Sequence, residues 1–182
     1  MNSQSQWSNA SRFSVTPLHP YFAARVTGID LTNVSDDAFA ELVSVFDEYS
    51  VLVFPDQHLT SDAHVAFSRR FGTLETMLKG SVGTGSPFAG ITNVDPQTDT
   101  ILAPADHRMK RQYSNELWHT DSSFKKLSAW ASLLYAKEVP PTGGNTHFAA
   151  LRRAWVDLDD SMKAIVRKLA AEHDFVYSRS IL

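Results

Sequence analysis

The stretch Trp118-His119-Thr120-Asp121-Ser122-Ser123-Phe124 is the part of the chain around which we interpret the fold and the chemistry. His119 and Asp121 are two residues apart, and residues at this spacing point to the same face of an extended strand. An imidazole nitrogen and a carboxylate oxygen would then converge, as in the two-His-one-carboxylate triad that holds non-haem Fe(II). The alternative is a histidine at a strand end beside a solvated aspartate. Because the chain has seven histidines, the spacing alone leaves both interpretations open.

The composition is that of an ordinary globular protein. Of 182 residues, 43% are hydrophobic and 20% are charged, which is enough apolar material for one domain with a sizeable core. A net charge of −3 without a basic run argues against a nucleic-acid partner. No apolar stretch approaches the ~20 residues of a membrane span. Cysteine is absent, which excludes disulfides and thiolate metal sites. These features predict a cytoplasmic protein without nucleic-acid or membrane partners, and they leave a homo-oligomer open.

The periodicity of apolar residues predicts a mixed α/β fold. Residues 1–12 are polar and read as a mobile tail. Helices are predicted after Ser35, where Phe39, Leu42, Val43 and Phe46 form one apolar stripe, and from Thr60 or Ser61 to Phe71. A turn or short helix is predicted over 151–158. A last helix is predicted after Asp159, with Met162, Ile165, Val166 and Leu169 on its inner face. Strands are predicted over residues 13–18, 24–31, 51–54, 90–94, 129–136, 145–148 and 173–177.

Residues 74–112 have weak periodicity and are interpreted as loops around the short strand at 90–94. Loops of this length in a compact domain are usually functional or disordered, so a substrate lid would lie here. Thr146, after the turn Pro140-Pro141-Thr142-Gly143-Gly144, is either an ordinary strand residue or a ligand-binding hydroxyl.

Several motifs, in order along nearly the whole chain, resemble those of the taurine/dichlorophenoxyacetate dioxygenase family. They are Pro17-Leu18-His19-Pro20, Gly28-Ile29-Asp30-Leu31, Ser50-Val51-Leu52-Val53-Phe54, Ala66-Phe67-Ser68-Arg69-Arg70-Phe71-Gly72, the His119/Asp121 stretch, Gly143-Gly144-Asn145-Thr146 and Ala171-Glu172-His173-Asp174-Phe175. Ser122-Ser123 and Tyr177-Ser178-Arg179 are closer to the dichlorophenoxyacetate (aryloxyalkanoate) branch than to the taurine branch.

The resemblance implies an Fe(II)- and α-ketoglutarate-dependent dioxygenase on a double-stranded β-helix (jelly roll) with flanking helices. Such an enzyme uses O₂ to oxidise a small carboxylate and releases succinate and CO₂. His119 and Asp121 would be the first two iron ligands, and Thr146 would bind a carboxylate of α-ketoglutarate. Asn115 would contact the substrate, and Lys79, in the loop over residues 74–90, would bind the carboxylate of the substrate. The alternative for Lys79 is a solvated loop lysine.

One departure from the family pattern concerns the end of the chain. The distal histidine that completes the triad and the arginine that binds α-ketoglutarate lie, in this family, beyond the point that corresponds to Leu182. His147 and His173 do not match the distal ligand. Residues 13–182 are therefore interpreted as the N-terminal part of a single dioxygenase domain, cut before its last strands. A non-catalytic fragment or interaction module is the alternative function. A metal-dependent hydrolase on a cupin-like barrel would not explain the Gly-Gly-Asn-Thr motif.

Overall fold

The computed structural model describes residues 12–75, 86–95, 97–174 and 176–177. Of the predicted tail over residues 1–12, residues 1–11 lie outside them. The chain divides into two compact units: residues 12–67 with Tyr135–Leu169 form unit 1, and Ser68–Leu134 with the residues after Leu169 form unit 2. Both helices and strands are present, so the predicted mixed α/β class is confirmed. No helix in the described ranges has the length and apolar character required to cross a membrane.

Unit 1 is built on a three-stranded sheet of β1 (Ser14–Pro17), β2 (Ala24–Thr27) and β3 (Leu52–Val53), in that order. β1 and β2 are antiparallel and pair Val15 with Val26, whereas β2 and β3 are parallel. A parallel connection needs a crossover, and helix α1 (Asp36–Tyr49) supplies it. The strands predicted at 13–18, 24–31 and 51–54 are thus confirmed, with shorter bounds.

Helix α1 begins as the sequence predicts, because Ser35 accepts a hydrogen bond on its hydroxyl from the Ala38 amide at 3.3 Å. Its buried stripe is centred on Ala38, Leu42 and Val45. Phe39 and Phe46 are half-buried at the margin of this stripe, so the predicted face is correct but is rotated by about one residue.

Helix α2 (Ser61–Arg69) completes the core of unit 1 through Phe67. The Phe67 ring lies 6.2 Å from the Phe39 ring and 6.5 Å from the Phe54 ring, both edge to face. The helix ends two residues before the predicted Phe71. Late in the chain, α4 (Leu151–Asp157) is the short helix, and not the turn, of the two alternatives for 151–158, and α5 (Asp160–Val166) is the predicted last helix. Asp159 caps α5 by accepting from the Met162 amide at 2.8 Å.

Arg152 of α4 satisfies the C-terminal end of α1. The last four carbonyls of an α-helix have no partner within the helix. Here the Phe46 carbonyl accepts from the Ser50 amide, and the Tyr49 carbonyl accepts from the amides of Ala23 and Val51. The Asp47 and Glu48 carbonyls accept from the Arg152 guanidinium at 2.7 and 3.1 Å. Since α1 has no basic residue in its own last turn, this arginine also supplies the positive charge that a helix C-terminus favours.

Unit 2 contains a two-stranded antiparallel sheet, β4 (Val94–Asp95) with β5 (Thr100–Ile101), followed by helix α3 (His107–Asn115). Arg108 joins the two elements by donating to Asp95 at 3.0 Å and to Asp106 at 2.7 Å. The hydrogen bonds from the Arg108 side chain and amide hold the pKa of the Asp106 carboxyl well below its usual range. Helix α3 was not predicted, because its sequence is strongly polar and has no apolar stripe.

Three strand predictions are wrong for the described residues. No strand forms over residues 129–136, 145–148 and 173–174. The predicted inner face of the last helix is also wrong, because its four apolar residues are all exposed: Met162, Ile165, Val166 and Leu169. A strand exists only where a neighbouring chain segment accepts its backbone hydrogen bonds. No such segment is paired with these residues within the described part of the chain. Apolar side chains that the pattern assigned to a core are exposed instead, including Trp130, Leu134 and Phe148.

Candidate metal centre

The His119/Asp121 stretch forms a turn and not the predicted strand. Residues 118–120 have no regular secondary structure, and a turn begins at Asp121. Trp118, the first residue of the stretch, is 73% exposed. His119 and Asp121 still face each other, because the turn brings His119 Nε2 to 3.4 Å from Asp121 Oδ1. Donors bound at about 2.1 Å to one ion, at right angles or somewhat wider, lie about 3.0–3.4 Å apart. The pair therefore has a spacing that two ligands of a single metal ion can adopt.

The other ring nitrogen of His119, Nδ1, makes a hydrogen bond to the backbone. Nδ1 lies 2.6 Å from the Leu117 carbonyl oxygen, and since a carbonyl only accepts, Nδ1 carries the proton. The lone pair of the neutral ring is then on Nε2, the nitrogen that faces Asp121. Hydrogen bonding of one imidazole nitrogen to a backbone carbonyl is how metal-binding histidines are commonly held in the correct tautomer.

Asp121 is oriented in a similar way. Its Oδ2 accepts a hydrogen bond from the Ser132 hydroxyl at 2.7 Å, which leaves Oδ1 directed at His119. The side chains of His119 and Asp121 are 47% and 59% exposed, so this edge of unit 2 is open to solvent. Ser132 was not singled out from the sequence. Only its place in the apolar run after the motif could have drawn attention to it.

The remaining predicted site residues are exposed or lie outside the described part of the chain. Asn115 is exposed at the C-terminal end of α3 in unit 2. Thr146 is exposed and outside any regular element in unit 1. Lys79 lies outside the described residues. His173 contacts the turn after Asp121, through Nδ1 at 2.7 Å from the Ser123 hydroxyl.

Among the residues that the structure describes, no third ligand completes the pair. In the part of the chain that the structure describes, no group of three or more His, Cys, Asp or Glu side chains is placed to hold a metal ion. His119 and Asp121 thus fit two of the three protein-ligand positions of a facial triad, and they leave the third position without a ligand from the described residues.

A separate concavity of about 370 Å³ is present in unit 1, lined by residues 27–30 and 55–57. Gln57 spans its two segments by donating to the Ile29 carbonyl and accepting from the Leu31 amide, at 3.1 and 3.0 Å. His119, Asp121 and Thr146 do not line it.

Comparison with known proteins shows consistent relatives. The family model described as "Taurine catabolism dioxygenase TauD, TfdA family" matches residues 14–180. An (S)-phenoxypropionate/alpha-ketoglutarate-dioxygenase of Sphingobium herbicidovorans is 39% identical over 171 residues, which are 93% of this chain and 56% of that protein. An alpha-ketoglutarate-dependent 2,4-dichlorophenoxyacetate dioxygenase of Cupriavidus pinatubonensis is 39% identical over 173 residues, 91% of this chain and 60% of that protein.

A solved structure also matches closely. The crystal structure of AAD-2 in complex with Mn(II) and N-oxalylglycine aligns with a TM-score of 0.82 and 36% identity, over 92% of this chain and 58% of that one. The chain thus spans somewhat more than half the length of the relatives it matches. The match over residues 14–180, together with relatives of this similarity, identifies the chain as a member of the taurine catabolism dioxygenase TauD, TfdA family.

Proposed function

We propose that the natural protein to which this chain belongs is an Fe(II)- and α-ketoglutarate-dependent dioxygenase that oxidises a small carboxylate with release of succinate and CO₂. Its substrate class would be the aryloxyalkanoates. Family membership and the names of the two relatives described above support this activity. The observation that carries the metal assignment is the pairing of His119 Nε2 with Asp121 Oδ1 at 3.4 Å, with the other nitrogen of the ring bound to a backbone carbonyl.

The protein's part in such a reaction is to hold the iron and to orient the reactants. Iron with open coordination positions would supply activation of O₂ and chelation of α-ketoglutarate. In the neutral ring, His119 presents the lone pair of Nε2, because the Leu117 carbonyl accepts the proton of Nδ1. Asp121 presents Oδ1 because Ser132 occupies Oδ2. Both donors are therefore oriented before any ion arrives, which lowers the reorganisation that binding requires.

The other site assignments are part of the proposal. Thr146 would donate its hydroxyl to a carboxylate of α-ketoglutarate, and its exposure leaves that hydroxyl accessible. Lys79 would meet the carboxylate of the substrate as a point charge on a flexible stem. Asn115 would line the substrate pocket at the end of α3.

We further infer that the complete protein is a double-stranded β-helix, of which this chain is the N-terminal part. The alignment with AAD-2 at a TM-score of 0.82 supports this inference. The strands that would complete the β-helix would cover the exposed apolar side chains of residues 129–136. They would also form sheet hydrogen bonds with backbone groups that now lie outside any sheet. A crystal structure of the natural protein tests the inference directly.

The activity is tested on the natural protein after measurement of its intact mass. Wild-type protein with Fe(II), α-ketoglutarate and O₂ is expected to form succinate in the presence of phenoxypropionate or 2,4-dichlorophenoxyacetate. His119→Ala should lose both Fe(II) binding and succinate formation. His147→Ala is the matched control, since His147 is an exposed histidine of unit 1 and is not assigned to the metal. Undiminished iron affinity in His119→Ala would contradict the assignment.

A non-catalytic module is the second candidate, favoured by the missing third ligand among the described residues. It predicts no succinate above background for the natural protein with any carboxylate substrate. For a verified 182-residue polypeptide, both candidates predict no turnover. Iron-dependent turnover by that polypeptide would show that another residue of this chain completes the ligand set.

A further inference from the structure

The turn that follows Asp121 has an unusual backbone. Ser122 has a φ of 57°, in the left-handed region that residues other than glycine rarely adopt. The Lys125 amide donates to the Ser122 carbonyl at 2.9 Å and closes the turn. A strained residue persists only where its surroundings hold it, so contacts with neighbouring residues must hold Ser122 in this conformation.

Glu75 holds both ends of this turn. The Ser122 hydroxyl donates to Glu75 Oε2 at 2.5 Å, and the Lys125 ammonium forms an ion pair with Glu75 Oε1. The Glu75 and Lys125 side chains are 35% and 26% exposed, which makes this the less solvated face of the turn. One carboxylate thus bridges the first and last residues of a four-residue turn, although Glu75 is 47 residues from Ser122 in the sequence.

The carboxylate of Glu75 is ionised at neutral pH. Partial burial raises its pKa, but the hydrogen bonds from Lys125 and Ser122 and the charge of Lys125 lower it on balance. Charge-assisted hydrogen bonds are stronger than neutral ones. The bridge therefore opposes relaxation of a backbone conformation that is unfavourable by itself.

The orientation of Asp121 depends on the same turn. Ser122 is bonded to Asp121 through the backbone, so a change in the Ser122 dihedrals would rotate the peptide plane that follows Asp121. The carboxylate of Asp121 would then move relative to Ser132, which holds Oδ2, and relative to His119, 3.4 Å from Oδ1. A second tie, between Ser123 and His173, is made by the adjacent residue of the turn.

We propose that Glu75 is a positioning residue for the metal site: by bridging Ser122 and Lys125 it fixes the turn that directs Asp121 Oδ1 at His119. This inference deepens the proposed function and rests on it for the role of Asp121. Glu75 does not touch the metal-binding atoms. It acts through the backbone of Ser122.

The test compares Glu75→Gln with the wild type in the natural protein by two measurements. Amide hydrogen exchange of the metal-free protein reports the turn itself, and calorimetric titration with Co(II) reports the metal site without catalysis. Glu75→Gln is expected to speed exchange at the Lys125 amide and to weaken Co(II) binding by about tenfold, the lower end of the effect of removing outer-shell support. Glu116→Gln, which removes an exposed carboxylate closer in sequence to His119, should change neither.

Two further variants keep the test decisive if Glu75→Gln folds poorly. Ser122→Ala removes only the hydroxyl and should weaken Co(II) binding in the same direction, whereas Lys125→Arg keeps the charge and should remain near wild type. Unchanged exchange at Lys125 in Glu75→Gln, or faster exchange with unchanged Co(II) affinity, would overturn the positioning role. Wild-type protein that shows the protected turn but binds no Co(II) would overturn the metal assignment instead.

Discussion

Replacing Arg152 by alanine should destabilise unit 1, because it removes the external cap of α1. The guanidinium donates to the Asp47 and Glu48 carbonyls at 2.7 and 3.1 Å and also contacts the Ser50 hydroxyl. Hydrogen bonds to a charged group contribute about 1.5–3 kcal/mol when buried, and a cation at a helix C-terminus contributes about 0.3–1 kcal/mol. Since Arg152 is exposed, solvent competes for these bonds, and a total of about 1–2 kcal/mol is expected.

Urea unfolding followed by far-ultraviolet circular dichroism measures this loss. With a slope of about 1–3 kcal/mol per molar urea, the midpoint should fall by roughly 0.5–1 M for Arg152→Ala. Arg152→Lys keeps the positive charge but loses the forked geometry of the guanidinium. Its urea midpoint should fall about half as far as that of Arg152→Ala. Lys168→Ala, which removes an exposed positive charge from the same unit, is the control. A midpoint for Arg152→Ala equal to that of the control would refute the capping role.

Three other outcomes are expected. Leu42→Ala should cost about 2–5 kcal/mol in the free energy of unfolding, because Leu42 is fully buried; a loss below 1 kcal/mol in urea unfolding would contradict the assigned core. The Glu75 bridge should weaken in acid: the pKa of Glu75 is lowered on folding, so its stabilisation is complete above the unfolded pKa and is lost as the pH falls through the folded one. The protection of the Lys125 amide, which is the intrinsic exchange rate relative to the observed rate at the same pH, should therefore fall in acid in the wild type, with no such loss of protection in Glu75→Gln. In the natural protein, Lys79→Ala should raise KM for a carboxylate substrate and leave the affinity for α-ketoglutarate unchanged, because one charge-assisted hydrogen bond of about 1.5–3 kcal/mol is lost. The measurement is steady-state kinetics with several carboxylates, and an unchanged KM would contradict this role of Lys79.

Features encoded over a few residues could be predicted from the sequence. Ser35 caps α1 and Asp159 caps α5 through their own side chains, and the predicted turn at Gly143 and Gly144 is confirmed by positive φ values of 75° and 66°. Each of these signals depends only on near neighbours.

Features that depend on distant partners could not be predicted. The apolar run at 129–136 fits a buried strand, but a strand needs a paired segment, and its sequence does not specify one. Helix α3 depends on the Asp106 cap and on Arg108, and it has no apolar stripe to reveal it. The proximity of His119 and Asp121 followed from their two-residue spacing, yet the structure achieves it with a turn. That turn is held by Glu75, 47 residues away, and no local pattern predicts such a contact.

The cap on α1 has a consequence for biosynthesis. Asp47 precedes Arg152 by 105 residues, and ribosomes add about 5–20 residues per second. The C-terminal carbonyls of α1 therefore stay without their arginine partner for roughly 5–20 s after they are made. During that interval the three-stranded sheet and α1 can form only part of unit 1. The residues of unit 2 leave the ribosome before the second segment of unit 1 does. A ribosome stalled before Arg152 should present a nascent chain whose α1 is frayed at its C-terminal end and is cleaved there more readily by proteases.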